Sequence, residues 1–394
     1  MKIELHILQN FAPSNLNRDD TGAPKDCSFG GYRRARISSQ CQKRATRDRF
    51  ALDGLLPEEN LAARTKRLAQ QVAERLQADH EMDEAQAFHL AMGALEGAGL
   101  KRAKSKKKGD DESFDYDAWK TEYLLFVPRR IIGALASLLW EHRDELSDLA
   151  EAQASGDRKK AKAAAKKGYP KEIRREVEQL LASARGCADL ALFGRMIADA
   201  PQWNVEASCQ VAHAISTHAM EMEFDFYTAV DDFKAEDNAG SDMMGTIQFN
   251  SSCFYRYAVL DVAALGANLD GEEELTAKTA AAFVRAFVSA IPTAKQNSMA
   301  AHNPPSYVLA VVRPSGQPVS LSNAFLRPAR PRKGDDLVDA SIAQIEAYFQ
   351  RMRGWMGEGL DVVSYADRPL GDLEGVERQA DPAGFFDRVA GALA

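Results

Sequence analysis

Residues 30–49 read GGYRRARISSQCQKRATRDR, and how they are parsed decides the fold. A glycine pair precedes a strand-like basic run, and Ser39 with Gln42 three residues on is a helix-start pattern. The stretch holds seven Lys or Arg (Arg33, Arg34, Arg36, Lys43, Arg44, Arg47, Arg49) against one acid, Asp48. On a helix running from Ser39 to about Phe50, Gln40, Lys43, Arg44 and Arg47 follow i, i+3, i+4, i+7 spacing and share a face. Ser38 and Ser39 place hydroxyls at the positive end of that helix. Face and helix end therefore suit one ligand, a phosphate. The competing reading is a solvated charged face.

Upstream, KIELHILQ (2–9) puts Ile3, Leu5 and Ile7 on one side and reads as a half-buried strand. Residues 10–31, rich in Pro, Asn, Asp and Gly, read as a loop. Downstream, 60–98, 127–153 and 171–191 carry helical spacing in Ala- and Leu-rich sequence. Strand character returns at VEASCQVAHAISTH (205–218), SSCFYRYAVLD (251–261) and SYVLAVVR (306–313), with an amphipathic helix at 272–290 and a last helix near 337–353. With 51–200 set aside, the order is β-α-β-β-α-β. The predicted fold class is therefore α+β: a ferredoxin-like/RNA-recognition-motif core, lacking that motif's stacking-aromatic signature. The domain reading is a core from 1–55 and 201–360, a helical insertion at 56–200, and a hairpin inserted at about 222–250. An acidic tail at 361–394 packs on the core or on a neighbour.

Two further basic runs differ in character. KRAKSKKKGDDESFDYD is followed by its own acids and reads as a self-neutralising loop. DRKKAKAAAKKGYPKEIRR (157–175) has alanine spacers that favour helix, and Lys159, Lys162 and Lys166 fall near one face, a second phosphate-binding surface or a solvated one.

The chain of 394 residues has 50 Lys plus Arg against 57 Asp plus Glu, a net charge of −7. That balance argues against indiscriminate adhesion to nucleic acid and for cations gathered in a few places. Five scattered cysteines with no C-x-x-C predict a reducing compartment and neither zinc ribbon nor disulfide framework. The start has no signal-peptide core, and the longest apolar run, Ile131 to Trp140, is about half a membrane span. A cytoplasmic protein without membrane contact, cofactor or metal is expected.

Several stretches carry a family resemblance: FAPSNLNRDDTGAPKDCSFGGYRRARISSQCQKRA (11–45), GRMIADAP (194–201), AHAISTH (212–218), FYTAVDD (226–232), MGTIQFNSSCFYRYA (244–258), AKQNSMAAHNP (294–304) and LSNAF (321–325). In this order they resemble the backbone subunit of the type I-E CRISPR surveillance complex Cascade, the CasC family. The resemblance implies a hand: an RNA-recognition-type palm, helical fingers and a β-hairpin thumb. It implies copies that polymerise along the spacer part of the CRISPR RNA, thumbs displacing a nucleotide at regular intervals, support for pairing with target DNA, other Cascade subunits as partners, and no catalysis.

Transferred residue by residue, Arg18, Lys25, Arg36, Ser38, Gln40, Lys43, Arg44 and Arg47 match positions that hold the guide backbone. Met196 and Met244 match apolar positions around the displaced nucleotide, and Phe226, Tyr227, Thr228 and Val230 lie in the RNA-touching thumb segment. Lys295 and Gln296 match a further palm contact. Lys159, Lys160, Lys162 and Lys166 resemble a lysine-rich finger helix that grips target DNA.

Two other classes stay open. Asp19, Asp20 and Asp26 lie beside the basic stretch, and loop aspartates such as Asp26 holding a divalent metal would make a ribonuclease of the related type III kind. Aspartates among Asn, Gly and Pro otherwise make turns. The third class is a structural protein whose basic stretch meets an acidic neighbour.

Overall fold

The computed structural model describes residues 1–103, 120–154, 159–160, 163–164, 170–183, 186–197, 200–229 and 243–393. The chain divides into two units, Met1–Leu55 with Cys209–Ala263 and Ala277–Ala394, and Leu56–Ser208 with Ala264–Thr276. In chain order the strands are β1 (Lys2–Ser14), β2 (Asp26–Phe29), β3 (Tyr32–Ile37), β4 (Ala62–Thr65), β5 (Leu125–Pro128), β6 (Cys209–Val211), β7 (Ala214–Ser216), β8 (Glu223–Ala229), β9 (Met243–Asp261), β10 (Tyr307–Arg313), β11 (Asp361–Ala366) and β12 (Glu377–Gln379). The helices of the second unit are α2 (Leu68–His80), α3 (Glu84–Gly97), α4 (Ile131–Glu141), α5 (Ser147–Ala154), α6 (Lys171–Ala182), α7 (Ala188–Phe193) and α8 (Val262–Asn268) at its margin. α1 (Ser39–Leu52), α9 (Glu273–Ser289), α10 (Gln296–Met299), α11 (Leu337–Met356) and α12 (Pro382–Gly391) belong wholly or mainly to the first.

The first unit is one sheet in the order β12-β11-β10-β1-β9-β7-β3-β2, with β6 and β8 also paired to β9. Within it, β10-β1-β9-β6/β7 is the 4-1-3-2 order of a ferredoxin-like core. β1 runs antiparallel to β9 and β10, and β9 antiparallel to β6 and β7. Residues 361–393 contribute β11, β12 and α12, so they extend the sheet and do not trail from it.

β1 is longer and more deeply buried than its alternation implied. Ile3, Leu5 and Ile7 face one side and Glu4, His6 and Leu8 the other, and all six are fully buried. The second face is closed by α11, whose Ile342, Ile345 and Phe349 pack with Leu8, Tyr255, Tyr257, Leu309 and Val311. The polar residues on that face are buried because they are paired. The Glu4 carboxylate accepts from Arg313 Nε (2.6 Å), the Tyr257 hydroxyl (2.9 Å) and the Val319 N–H (2.7 Å), and His6 Nδ1 shares a hydrogen bond with Tyr255 (2.9 Å).

Burial drives the His6 imidazole down to about 3, Arg313 adding to the shift. The unfolded chain takes up this proton near pH 6.5 while the fold refuses it, so the stabilisation is complete above that pH and lost below it. Between pH 6.5 and 4, denaturant titrations should show stability falling by about 1.4 kcal/mol per pH unit through this group. A His6→Phe variant should lose that share of the slope; an unchanged slope would place the acid sensitivity elsewhere.

The other face holds α1 and α9 through one buried guanidinium. Arg256, opposite Ile7, donates to Gln9 Oε1 (2.6 Å), to the carbonyls of Phe287 and Val288 at the end of α9, and to Gln42 Oε1 of α1 (3.4 Å). The carbonyl end of a helix is where a cation is favoured.

The second unit has a helical core that includes Leu68, Val72, Phe88, Leu95, Leu135, Leu139, Ile173, Val177, Leu181 and Trp203. It is not purely helical: β4 and β5 pair antiparallel, Ala62 opposite Pro128 and Thr65 opposite Leu125. Four-residue strands are too short to show a period, which hid them in the sequence.

Candidate nucleic-acid interface

The step from β2 to α1 is the centre of the site. β2 and β3 form a hairpin in which Phe29 pairs with Tyr32 across Gly30 and Gly31, both at positive φ (61° and 81°). That is a two-residue turn needing left-handed residues at both positions, so residues read as a loop are a strand and its turn. A Cβ on Gly30 would strike the carbonyl of Leu326. β3 delivers the chain to α1, whose N-cap is Ser38 and not Ser39: the Ser38 hydroxyl accepts from Cys41 N (3.3 Å). Gln42 makes no capping box, because its amide donates to the Ala212 carbonyl (2.8 Å) and anchors α1 to β6 and β7.

The seven cations of the stretch have distinct fates. Arg34 is fully buried and donates to the carbonyls of Ser216 (3.2 Å), Thr217 (2.8 Å) and Phe325 (2.6 Å), a clasp and not a solvated neighbour. Arg33 is paired to Asp26 through Nε (2.6 Å), and Arg49 to Asp53 (2.7 Å). Arg36 is half-buried, braced by the Asp26 carbonyl (3.0 Å) and His213 Nδ1 (3.0 Å). Burial, with Arg36 and Lys25 beside it, lowers the His213 pKa, which suits a neutral acceptor. Gln40, Lys43, Arg44 and Arg47 lie on the open side of α1, opposite the buried Gln42, Ala45, Thr46 and Phe50; Arg44 makes only an exposed pair with Asp48 (3.8 Å).

A cleft of about 840 Å³ runs along this side of α1 and brings Arg18, Arg44 and Lys295 together, with Asp19, Asp20 and Asp48 also on its wall. Lys295 sits at positive φ (56°) just before α10. Gln296 is a clasp for that turn, its amide donating to the Pro292 carbonyl (3.0 Å), while its buried Oε1 has no partner. Lys25 and Arg36 line a small neighbouring pocket. Asp19 closes a turn: the Thr21 hydroxyl (2.8 Å) and the N–H groups of Thr21 and Ala23 donate to it, holding its carboxyl below the usual range. No group of three or more metal-ligating side chains occurs among the described residues.

Sequence reading missed two kinds of residue here. Asn17 and Asn15 are the joints of the loop. Asn17 Oδ1 accepts from Ser38 N (2.8 Å), and the Asn15 amide donates to the carbonyls of Gly22 (2.9 Å) and Gln248 (3.0 Å), tying loop to hairpin. The second kind is a cationic loop, Arg327, Arg330, Arg332 and Lys333, all exposed. Its backbone is held by the bond from Ala329 N to the Thr217 carbonyl (2.8 Å) and by Arg34. The signal, four cations in seven residues around two prolines, was legible.

The hairpin of β8 and β9 carries the remaining first-unit candidates. Phe226 and Tyr227 are 63% and 38% exposed, and Thr228 is exposed. Adjacent strand residues point to opposite sides, so Phe226 and Tyr227 do not share a face. The Tyr227 ring lies over Gly245, where a Cβ would come within 2.5 Å of it. Val230 and the Met244 side chain lie outside the described residues. In the second unit Met196 is 86% exposed, an unusual exposure for a methionine, and Lys159 and Lys160 are exposed on a helical stretch. Lys162 and Lys166 lie outside the described residues. No helix among the described residues is long and apolar enough to cross a membrane.

A ferredoxin-like sheet with an open cationic helix at one margin and a long hairpin grown from its middle strands defines the class, an RNA-recognition-type α+β protein with a large inserted unit. The chain belongs to the CT1975-like protein family, whose model matches residues 3–378. Two solved chains are similar over their whole length and the whole of this one. One, from a CRISPR RNA-guided surveillance complex in a pre-nicking state, has 31% identity and a TM-score of 0.83; another, from a CRISPR RNA-guided surveillance complex, has 25% identity and a TM-score of 0.75. No protein with a curated description matches.

Proposed function

We propose that this chain is the repeating backbone subunit of a CRISPR RNA-guided surveillance complex, a Cascade. In this reading it lines up in copies along the spacer of the guide, displaces a nucleotide at intervals with the hairpin, and leaves the rest to pair with target DNA. The observation that carries the reading is the open cationic side of α1 beside the cleft that gathers Arg18, Arg44 and Lys295. Charged groups aimed at phosphates bind any sequence alike, as a subunit that must accept every spacer requires. The sheet face that RNA-recognition motifs use is closed by α11, which favours a path for the guide along α1 and the hairpin.

The role is structural and not catalytic. Asp26 is engaged by Arg33 and Asp19 by its own turn, which leaves the loop poorly suited to hold a metal. Incubating the assembled complex with Mg²⁺ and RNA complementary to the guide should leave the RNA intact; cleavage lost on Asp26→Ala would reverse this. Co-expression with a CRISPR RNA tests the function itself. The purified chain should carry a discrete RNA within a large assembly, and a monomer free of nucleic acid would refute it.

Lys159 and Lys160, with the loop Arg327–Lys333, are the surfaces assigned to target DNA. Lys159→Glu with Lys160→Glu should weaken target duplex binding about tenfold and flatten its salt dependence by roughly one unit of log slope per lost contact, guide retained. Loss of the guide instead would place these lysines on RNA.

A further inference from the structure

We propose that Phe224, together with Phe226, forms a base-stacking face on one side of the β8–β9 hairpin and takes an unpaired nucleobase of the guide RNA. Phe224 is 65% exposed and Phe226 63%. Two residues apart on one strand, they point to the same side, and their cross-strand partners are the uncharged Gln248 and Thr246. The other side of the hairpin differs. It carries the exposed acids Glu223 and Asp225, opposite Phe249 and Ile247, and Tyr227 covers Gly245 there. Two carboxylates beside a phosphate chain repel it, so a polyanion approaches from the Phe224 side.

Spacing agrees with charge. Positions i and i+2 of a strand are about 6.7 Å apart, with side chains standing roughly perpendicular to the sheet. That is twice the ~3.4 Å rise per base of a stacked nucleic acid, so one base has room between the two rings. Gln248 and Thr246 add donors and acceptors for base edges. Aromatic stacking tolerates every base, as a guide of arbitrary sequence demands. The inference rests on the guide-binding reading and deepens it: Phe224 is a contact residue, whereas Tyr227 shapes the hairpin from the other side.

The test is the affinity of the full-length chain for guide RNA, measured over a range of salt concentrations, for Phe224→Ala, Phe224→Leu and Phe224→Trp. Alanine should weaken binding about tenfold with the slope against log salt unchanged, because stacking releases no counterions. Tryptophan should restore wild-type affinity and leucine should not. Irradiating the chain with guide RNA carrying 5-iodouridine should cross-link the peptide that holds Phe224. Full affinity in the alanine or leucine variant would overturn the proposal, as would cross-links confined to Tyr227. An oligomer lost with RNA affinity per protomer intact would also overturn it, by assigning the face to a second copy. Failure of the wild-type chain to bind guide RNA would remove the underlying reading as well, and shows in the control.

Discussion

Lys43→Glu, Arg44→Glu and Arg47→Glu together are expected to strip guide RNA from the purified protein. These side chains project from the open side of α1, and the residues that hold α1 down, Gln42, Ala45, Thr46 and Phe50, are not touched. The exposed Arg44–Asp48 pair contributes little to stability. At about 1–3 kcal/mol per charged contact, three losses amount to roughly a hundredfold or more in affinity, and the introduced acids repel the backbone further. The RNA content of the purified variant, read from its absorbance ratio at 260 and 280 nm, should fall to that of free protein while its thermal unfolding stays near wild type. A variant that keeps its RNA would move the guide off α1.

The largest loss of stability is expected from Arg313→Met. The Glu4–Arg313 pair (2.6 Å) lies at zero exposure between β1 and β10, and removing one partner strands the other as a buried charge, at a cost of about 3–5 kcal/mol. Burial already raises the Glu4 pKa. In the variant the carboxylate escapes by protonation, so the deficit should shrink as the pH is lowered through the acid range. Urea titrations at two pH values measure both parts, and a deficit independent of pH would mean that lost shape, not stranded charge, is responsible.

The core was legible because its elements are long and punctuated. β1, β9, β10, α9 and α11 each span seven or more residues, with apolar periods that a sequence exposes. What escaped was local or cooperative. β2 is four residues and reveals itself only through its pairing with β3. The burial of both faces of β1 depends on Arg313, some three hundred residues away, meeting Glu4. At the site, charge identified the right stretch, but charge alone could not sort the cations. Arg34 and Arg36 are two residues apart, yet Arg34 clasps four segments of backbone while Arg36 is braced at the surface. The hairpin gave the same lesson. Phe226 and Tyr227 look equivalent as neighbours in sequence, and strand alternation separates them and pairs Phe226 with Phe224.

The central claim, a subunit repeated along the guide, is tested most directly by native mass spectrometry of complexes assembled on guides of increasing spacer length. The account predicts that the number of copies of this chain rises by one for each fixed increment of spacer. A copy number that stays constant as the spacer lengthens would contradict it.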